Sequence, residues 1–237
     1  MAGHSKWANI KHRKEKSDAA KGKVISRMAK EIISAVKQGG PDIKSNTRLR
    51  LVLQKARSAN VPNDVIERNI KKGSSSEQID YFEITYELYG HGGVGLIIDV
   101  MTDNKNRISS DIRIATNKRG GVVAEPGSVA FNFDRKGVIQ VAKSKAVEDD
   151  LFLLVSEAGA DDFEVADEMY MIVTPVELLY QVKERIEKEG ITCDEVNLEM
   201  IPKHSVECDP ETRQKNEALV EWLEALDDVD AVYHNME

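Results

Sequence analysis

The sequence has few cysteines, few aromatic residues and no long hydrophobic run. Its two cysteines, Cys193 and Cys208, have no third or fourth partner, which argues against a disulfide framework and against a structural zinc site. No stretch approaches the roughly 20 apolar residues that span a membrane. The first residues are basic and polar, unlike a secretory signal, so we expect a protein of the reducing cytoplasm that does not associate with membranes.

Motifs of enzyme active sites are also missing. The glycine-rich stretch Gly90–Gly95 formally fits a dinucleotide-binding pattern, but a predicted strand follows it where that fold needs a helix. The five histidines are scattered singly, without the spacing that brings two ligands onto one metal ion. We read the acidic clusters 148–150 and 157–162 as solvated residues near a helix start and a loop. The sequence therefore predicts no catalytic residue, no metal and no cofactor, and hence a protein that is not an enzyme.

Charge is distributed unevenly along the chain. The segment Met1–Lys72 contains 18 Lys and Arg against 6 Asp and Glu, a net +12, whereas the whole chain is −8 and the remainder is therefore −20. Such an excess in a small fold is self-repulsive unless an anion relieves it, and phosphate groups do so by releasing counterions. Nucleic acid is the favoured partner, and pairing with the chain's own acidic domains or with an acidic protein surface is the alternative.

The predicted nucleic-acid-binding residues lie in a basic arm over residues 1–16 and in the helices that follow it. Trp7 is included because an aromatic ring among cations can stack on unpaired bases or wedge into a groove. The set is Lys6, Trp7, Lys11, His12, Arg13, Lys14, Lys21, Lys23, Arg48 and Arg50.

Hydrophobic periodicity predicts an α+β protein of several domains. Helical spacing over 17–38, 47–59 and a stretch after Pro62, with Asn63 as its cap, gives a basic three-helix domain, 1–76, that ends in a linker beginning at Gly73. Period-2 strands and amphipathic helices follow, including a helix capped by Asp103, a strand over 129–133 and a turn over 135–137. The last helix and strand are too few to form their own core. We therefore predict a discontinuous domain, 77–136 plus 206–237, with a second domain, 137–205, inserted in it.

Five collinear motifs resemble the YebC family. They are the arm AGHSKWANIKHRK (2–14), the turn ANVP (59–62), YGHGGV (89–94), TDNKNR (102–107) and EPGSV (125–129). One departure is His91, where the family's loop carries proline. The resemblance implies a helical N-terminal domain followed by two α+β domains of ferredoxin-like type, one inserted in the other, and a cytoplasmic regulator without known catalysis.

The resemblance and the charge distribution leave two functions open. The first is a DNA-binding transcriptional regulator, in which the acidic domains recruit a protein partner or set orientation. The second is a ribosome-associated translational activator that binds ribosomal RNA with the same basic surface. Phosphate contacts carry no sequence information, and the sequence shows no evident base-reading helix, so the residues alone do not separate these two.

Overall fold

The computed structural model describes residues 17–75 and 80–237, with the side chains of 17–21 and of Ser58 excepted. Two compact units are present: the described residues up to Phe133 together with Pro202–Glu237, and Asp134–Ile201. The second unit is thus inserted in the chain of the first. The domain boundaries assigned from the sequence stay predictions. The predicted arm residues Lys6, Trp7, Lys11, His12, Arg13 and Lys14 lie outside the described residues.

Three helices open the first unit: α1 (Ser17–Gly39), α2 (Thr47–Ser58) and α3 (Asn63–Ser74). Asn46 caps α2, because its side-chain oxygen accepts a hydrogen bond from the Leu49 amide at 2.9 Å. The helices close over a core of their own, with Met28, Ile32, Leu49, Leu53, Ala56 and Ile66 buried.

Two local predictions in this region are wrong. Gly73 is not linker but a buried residue of α3, where an added Cβ atom would lie 2.9 Å from the Cβ of Val36 on α1. The glycine therefore permits close helix packing. Asn63 does not cap α3 either, since it is already helical and Pro62 occupies the cap position without a side-chain bond.

The first unit continues into a four-stranded sheet with two helices. Its strands are β1 (Phe82–Tyr89), β2 (Gly95–Thr102), β3 (Val122–Val123) and β8 (Val229–His234), in the order β3-β1-β2-β8. The helices are α4 (Lys105–Arg119) and α7 (Pro210–Ala225). The final strand pairs antiparallel with β2, and Leu219 and Leu223 of α7 join the core formed by β1, β2 and α4.

Both helices that pack on this sheet begin at a residue whose side chain accepts hydrogen bonds from backbone amides of the first turn. Asp209 accepts hydrogen bonds from the amides of Glu211 and Thr212, both at 3.0 Å, and so caps α7 as its sequence indicates. The cap of α4 is Asn104, whose oxygen accepts from the Asn106 and Arg107 amides. The predicted cap, Asp103, is wrong: it lies one residue earlier and pairs with the Arg107 guanidinium.

A buried carboxylate shapes the loop after β3. Glu87 of β1 is only 8% exposed, and it accepts hydrogen bonds from the amides of Gly127, Val129 and Ala130 at 2.6, 2.6 and 2.8 Å. Burial raises the pKa of Glu87, but these three amides outweigh it and hold the pKa below its ordinary value. The predicted strand over 129–133 is wrong, because amides that a strand would use bond to Glu87. The chain forms a short 3₁₀ turn there instead.

The inserted unit has the βαββαβ order of ferredoxin-like folds. Its elements are β4 (Phe133–Ala142), α5 (Glu148–Glu157), β5 (Asp162–Val165), β6 (Met169–Thr174), α6 (Leu179–Lys188) and β7 (Glu195–Pro202), with strand order β5-β6-β4-β7. The turn predicted over 135–137 is part of continuous β4. An added Cβ atom on Gly137 would collide with Thr174 and Leu179, so the glycine there serves close packing rather than a turn.

The architecture is therefore α+β: a helical N-terminal region followed by two sheet-and-helix layers, one inserted in the other. Neither stretch that the structure describes contains a helix both long enough and apolar enough to cross a membrane. Cys193 and Cys208 are free thiols, and burial raises the pKa of Cys193 to about 11, which makes its thiol unreactive.

Candidate nucleic-acid interface

Two lysines on one side of α1 donate hydrogen bonds to backbone carbonyls of the first unit. These carbonyls belong to β2 and to the segment at the end of α7. Lys23 Nζ donates to the carbonyl oxygen of Glu224 and, at 2.9 Å, to that of Leu226. Lys30 Nζ donates to the carbonyl oxygens of Met101 and Asp227 at 3.0 and 3.1 Å. These lysines join the helical region to the sheet, so the predicted binding residue Lys23 is already engaged within the chain.

Asp228 is the carboxylate at the centre of this contact. Its side chain, 8% exposed, accepts from Lys30 Nζ at 2.9 Å and from Thr102 Oγ1 at 2.8 Å, and Arg107 binds the same carboxylate. Burial raises the pKa of Asp228, but hydrogen bonds from Arg107, Lys30 and Thr102 hold it below its ordinary value. Asp228 is therefore ionised at neutral pH.

A second acidic residue on β8 has the opposite pKa shift. Asp230 lies 3.7 Å from the Nε atom of Arg27, which also pairs with Glu31 at 2.9 Å. Burial raises the pKa of Asp230 to about 6, more than the Arg27 charge lowers it. Lys55 of α2 pairs with Glu31 from the other side at 3.2 Å.

Two further cations pair with carboxylates in β1 and two residues before it. Arg48 of α2 binds the carboxylate of Glu83, and Lys37 pairs with Asp80 at 2.9 Å. Together with the contacts above, six cations of the helical region are held by carboxylates or carbonyls inside the chain: Lys23, Arg27, Lys30, Lys37, Arg48 and Lys55.

Six other cations of the same region face solvent. None of them forms an ion pair with a carboxylate in residues 17–75 or 80–237. They are Lys44, Arg50, Arg57, Arg68, Lys71 and Lys72. The predicted residue Arg50 belongs to this set, with its guanidinium donating to the Thr47 hydroxyl at 3.1 Å. Lys21 lies in α1, but its side chain is outside the described part.

Exposed polar residues form a line along α2. Thr47, Arg50, Gln54 and Arg57 are all exposed and follow one another at helical spacing, and α2 contains no acidic residue. Gln54 and Arg57 are not among the binding residues predicted from the sequence. The signal was present in the spacing of 50, 54 and 57, opposite the buried Leu49, Val52 and Leu53.

The exposed side of α3 is different because it carries both signs of charge. Arg68, Lys71 and Lys72 are exposed at i, i+3 and i+4, but Asp64 and Glu67 are exposed on the preceding turn. Such a surface can contact phosphates with its last turn, whereas its first turn would repel them.

A polar cleft of about 450 Å³ lies beside the Asp228 network. The cleft is lined by Lys23, Lys30, Arg107, Asp103 and Asp227. The three cations among them already bind carboxylates or backbone carbonyls of the chain. The cleft therefore lacks the unpaired charge of an anion site. The described residues also contain no group of three side chains that could hold a metal ion.

The glycine-rich loop between β1 and β2 is a structural turn. Gly92 and Gly93 have φ values of 67° and 82°, which explains the glycines at these positions. The His91 amide donates to Asn216 Oδ1 at 2.8 Å, Asn216 returns a hydrogen bond to the His91 carbonyl, and the His91 ring bonds to the Arg119 carbonyl. The loop joins α4 and α7 to the sheet, and β2 follows it as predicted.

Comparison with family models accounts for nearly the whole chain. Residues 5–76 match the TACO1/YebC protein N-terminal domain, and residues 81–236 match the TACO1/YebC second and third domain. The chain belongs to the TACO1/YebC family. The resemblance drawn from the five motifs is thereby confirmed.

Curated and solved relatives agree with this assignment. A protein of Protochlamydia amoebophila named probable transcriptional regulatory protein is 66% identical over 236 residues, covering 100% of this chain and 96% of that protein. A Chlamydia pneumoniae protein of the same designation is 56% identical over the full length of both. The crystal structure of a conserved hypothetical protein from Aquifex aeolicus, 41% identical, superimposes with a TM-score of 0.86 over 98% of this chain and 97% of that one. The two curated relatives are thus named as probable transcriptional regulatory proteins.

Proposed function

We propose that this TACO1/YebC protein is a non-enzymatic regulator of transcription that binds duplex DNA in the cytoplasm through its helical region. The observation that carries the proposal is the division of the twelve cations whose side chains are described in residues 17–75 into two groups of six. One group is satisfied inside the chain, whereas the other faces solvent without an ion pair to a described carboxylate. A folded domain keeps such an excess when an external polyanion neutralises it.

The proposed contact surface consists of the exposed cations of α2 and α3. The arm residues Lys6, Trp7, Lys11, His12, Arg13 and Lys14, with Lys21, remain part of the proposal as additional phosphate contacts. Lys23 and Arg48 are not part of the proposed contact surface. Binding a phosphate would require Lys23 to leave the Glu224 carbonyl and Arg48 to leave the Glu83 carboxylate. These two act as structural cations.

The line of residues on α2 suits duplex DNA. An α-helix fits the major groove, where Arg makes paired hydrogen bonds to guanine and Gln to adenine. Arg50, Gln54 and Arg57 offer these groups on one acid-free side of a helix. We propose that α2 lies in the groove while Lys71 and Lys72 of α3 contact the backbone.

The test is the salt dependence of DNA binding by the full-length protein, measured by fluorescence anisotropy. If six phosphates are neutralised, log K falls against log salt with a slope of about −5. Replacing Arg68, Lys71 and Lys72 by Gln lowers affinity and reduces the slope by about three. The matched control is Lys118→Gln with Lys188→Gln, two exposed lysines of the acidic domains. A flat salt response, or equal effects of both variants, contradicts the proposal.

The second candidate function is a ribosome-associated translational activator. The observation favouring it is the acidic first turn of α3, because phosphates beside a groove that α2 entered would repel the exposed carboxylates of Asp64 and Glu67. A-form RNA offers phosphates and 2′-hydroxyls on a shallow surface that needs no inserted helix. Crosslinking in living cells followed by sequencing of both nucleic acids separates the two: promoter enrichment supports transcription, and ribosomal RNA enrichment supports translation.

A further inference from the structure

The inserted unit contains a long segment of one charge sign. Residues 146–168 include nine Asp and Glu and no Lys or Arg, the reverse of the helical region. The segment forms α5, the loop after it and β5, which is an edge strand of the second sheet. Glu148, Asp149 and Asp150 are exposed in the first turn of α5, and Glu157 is exposed at its end.

The same segment exposes large apolar side chains. Val147, Phe152, Leu153 and Val165 are 66%, 48%, 60% and 41% exposed, although Leu151 and Val155 on the inner side of α5 are fully buried. A solvated acidic helix has no need of Phe152 and Leu153 on its outer side. We call these four side chains and the acidic residues around them the acidic-apolar face.

The aromatic side chain on this face has a defined position. The ring of Phe152 makes an edge contact with Phe163 of β5, with centroids 5.6 Å apart, and Phe163 stacks on Tyr170 of β6 at 5.4 Å. This aromatic series connects the exposed ring to the core of the unit. A partner that packs on Phe152 therefore meets a preordered ring and loses little side-chain entropy there.

We propose that the acidic-apolar face is the binding surface for a basic, amphipathic segment of another protein. Leu153, Phe152 and Val165 would contact apolar side chains of that segment, and the carboxylates around them would pair with its Lys and Arg. Charge selects this occupant: the exposed carboxylates of Glu148, Asp149, Asp150 and Glu157 repel nucleic acid and anionic lipid, and a second copy would place like charge against like charge in a two-fold contact. The inference does not depend on the proposed nucleic-acid binding.

The experiment uses the full-length protein labelled with ¹⁵N and a synthetic 16-residue peptide with Lys and Leu at helical spacing. Two control peptides carry Ser in place of Leu, or Glu in place of Lys. We expect amide shifts confined to residues 147–165, weaker binding of the Ser peptide and none of the Glu peptide. Leu153→Ser should lower affinity at least fivefold, and Asp149→Asn with Glu157→Gln should do the same and weaken its salt dependence.

The matched control is Ile114→Ser, which removes an apolar side chain, 49% exposed against 60% for Leu153, from α4 in the other unit and should leave peptide affinity unchanged. The melting temperature of each variant shows that the fold is kept. Shifts elsewhere, or equal affinity of Leu153→Ser and the wild type, overturn the proposal. So does a concentration-dependent dimer abolished by Leu153→Ser, or loss of RNA or DNA binding in that variant.

Discussion

Substitution of Asp228 by Asn is expected to destabilise the contact between α1 and the first sheet. The change keeps the side chain's shape but removes the charge that faces Lys30 and Arg107. Breaking a buried ion pair from one side costs about 3–5 kcal/mol. Lys30 keeps its two carbonyl partners, and Arg107, 47% exposed, keeps Asp103. We therefore expect about 2–3 kcal/mol, or roughly 8 °C in melting temperature for a chain of this size.

The assay is thermal unfolding together with amide hydrogen exchange in α1 and β8, compared with Asp227→Asn. Asp227 is an exposed neighbour that offers Lys30 its carbonyl rather than its carboxylate, so its variant should change little. Because folding lowers the pKa of Asp228, its stabilisation is present above the unfolded pKa, about 4, and is lost as pH falls through the folded value. Equal melting temperatures of the two variants at pH 7 would refute the assignment, as would a difference that does not shrink as pH falls below about 4.

The remaining predictions concern the loop, β8 and α3. Glu87→Gln should accelerate exchange of the three loop amides that it holds and cost about 2 kcal/mol, whereas Glu125→Gln, exposed in the same loop, should do neither. Asp230→Asn should stabilise the protein by about 1–2 kcal/mol at pH 7.5 and not at pH 4, since a carboxyl pKa raised to about 6 penalises folding only as pH rises past the unfolded value; lower stability at pH 7.5 would mean that the Arg27 pair dominates. Gly73→Ala should lower the melting temperature, because its Cβ atom meets Val36, and an unchanged value would contradict the close packing.

Local pattern was sufficient for most elements of the fold. The period of Met28, Ile32 and Val36 predicts α1, and the sequence Asp209-Pro210 predicts the start of α7, because caps and amphipathic spacing act over a few residues. The errors arise where a distant residue determines the conformation. Glu87 turns 129–133 from a strand into a 3₁₀ turn across some 40 residues of chain, and no local pattern reveals that contact.

The sequence predicted the sign of the charge at the candidate site but not which residues form it. The excess of cations in the first 72 residues identifies the region, yet Lys23 and Arg50 look alike in the sequence. Only the fold shows that one binds carbonyls at the end of α7 while the other faces solvent. Gln54 was missed because an uncharged residue adds nothing to a charge count.

The position of β8 affects how the protein matures during synthesis. This strand pairs with β2 but emerges from the ribosome more than a hundred residues after it. The inserted unit is translated in full before then and can fold first. Until the C-terminal residues appear, Lys23 lacks both of its carbonyl partners, Lys30 lacks the Asp228 carboxylate, and β2 has an open edge. A nascent chain is therefore more cationic along α1 than the finished protein, and stalled synthesis would leave that surface available to the ribosomal RNA beside it.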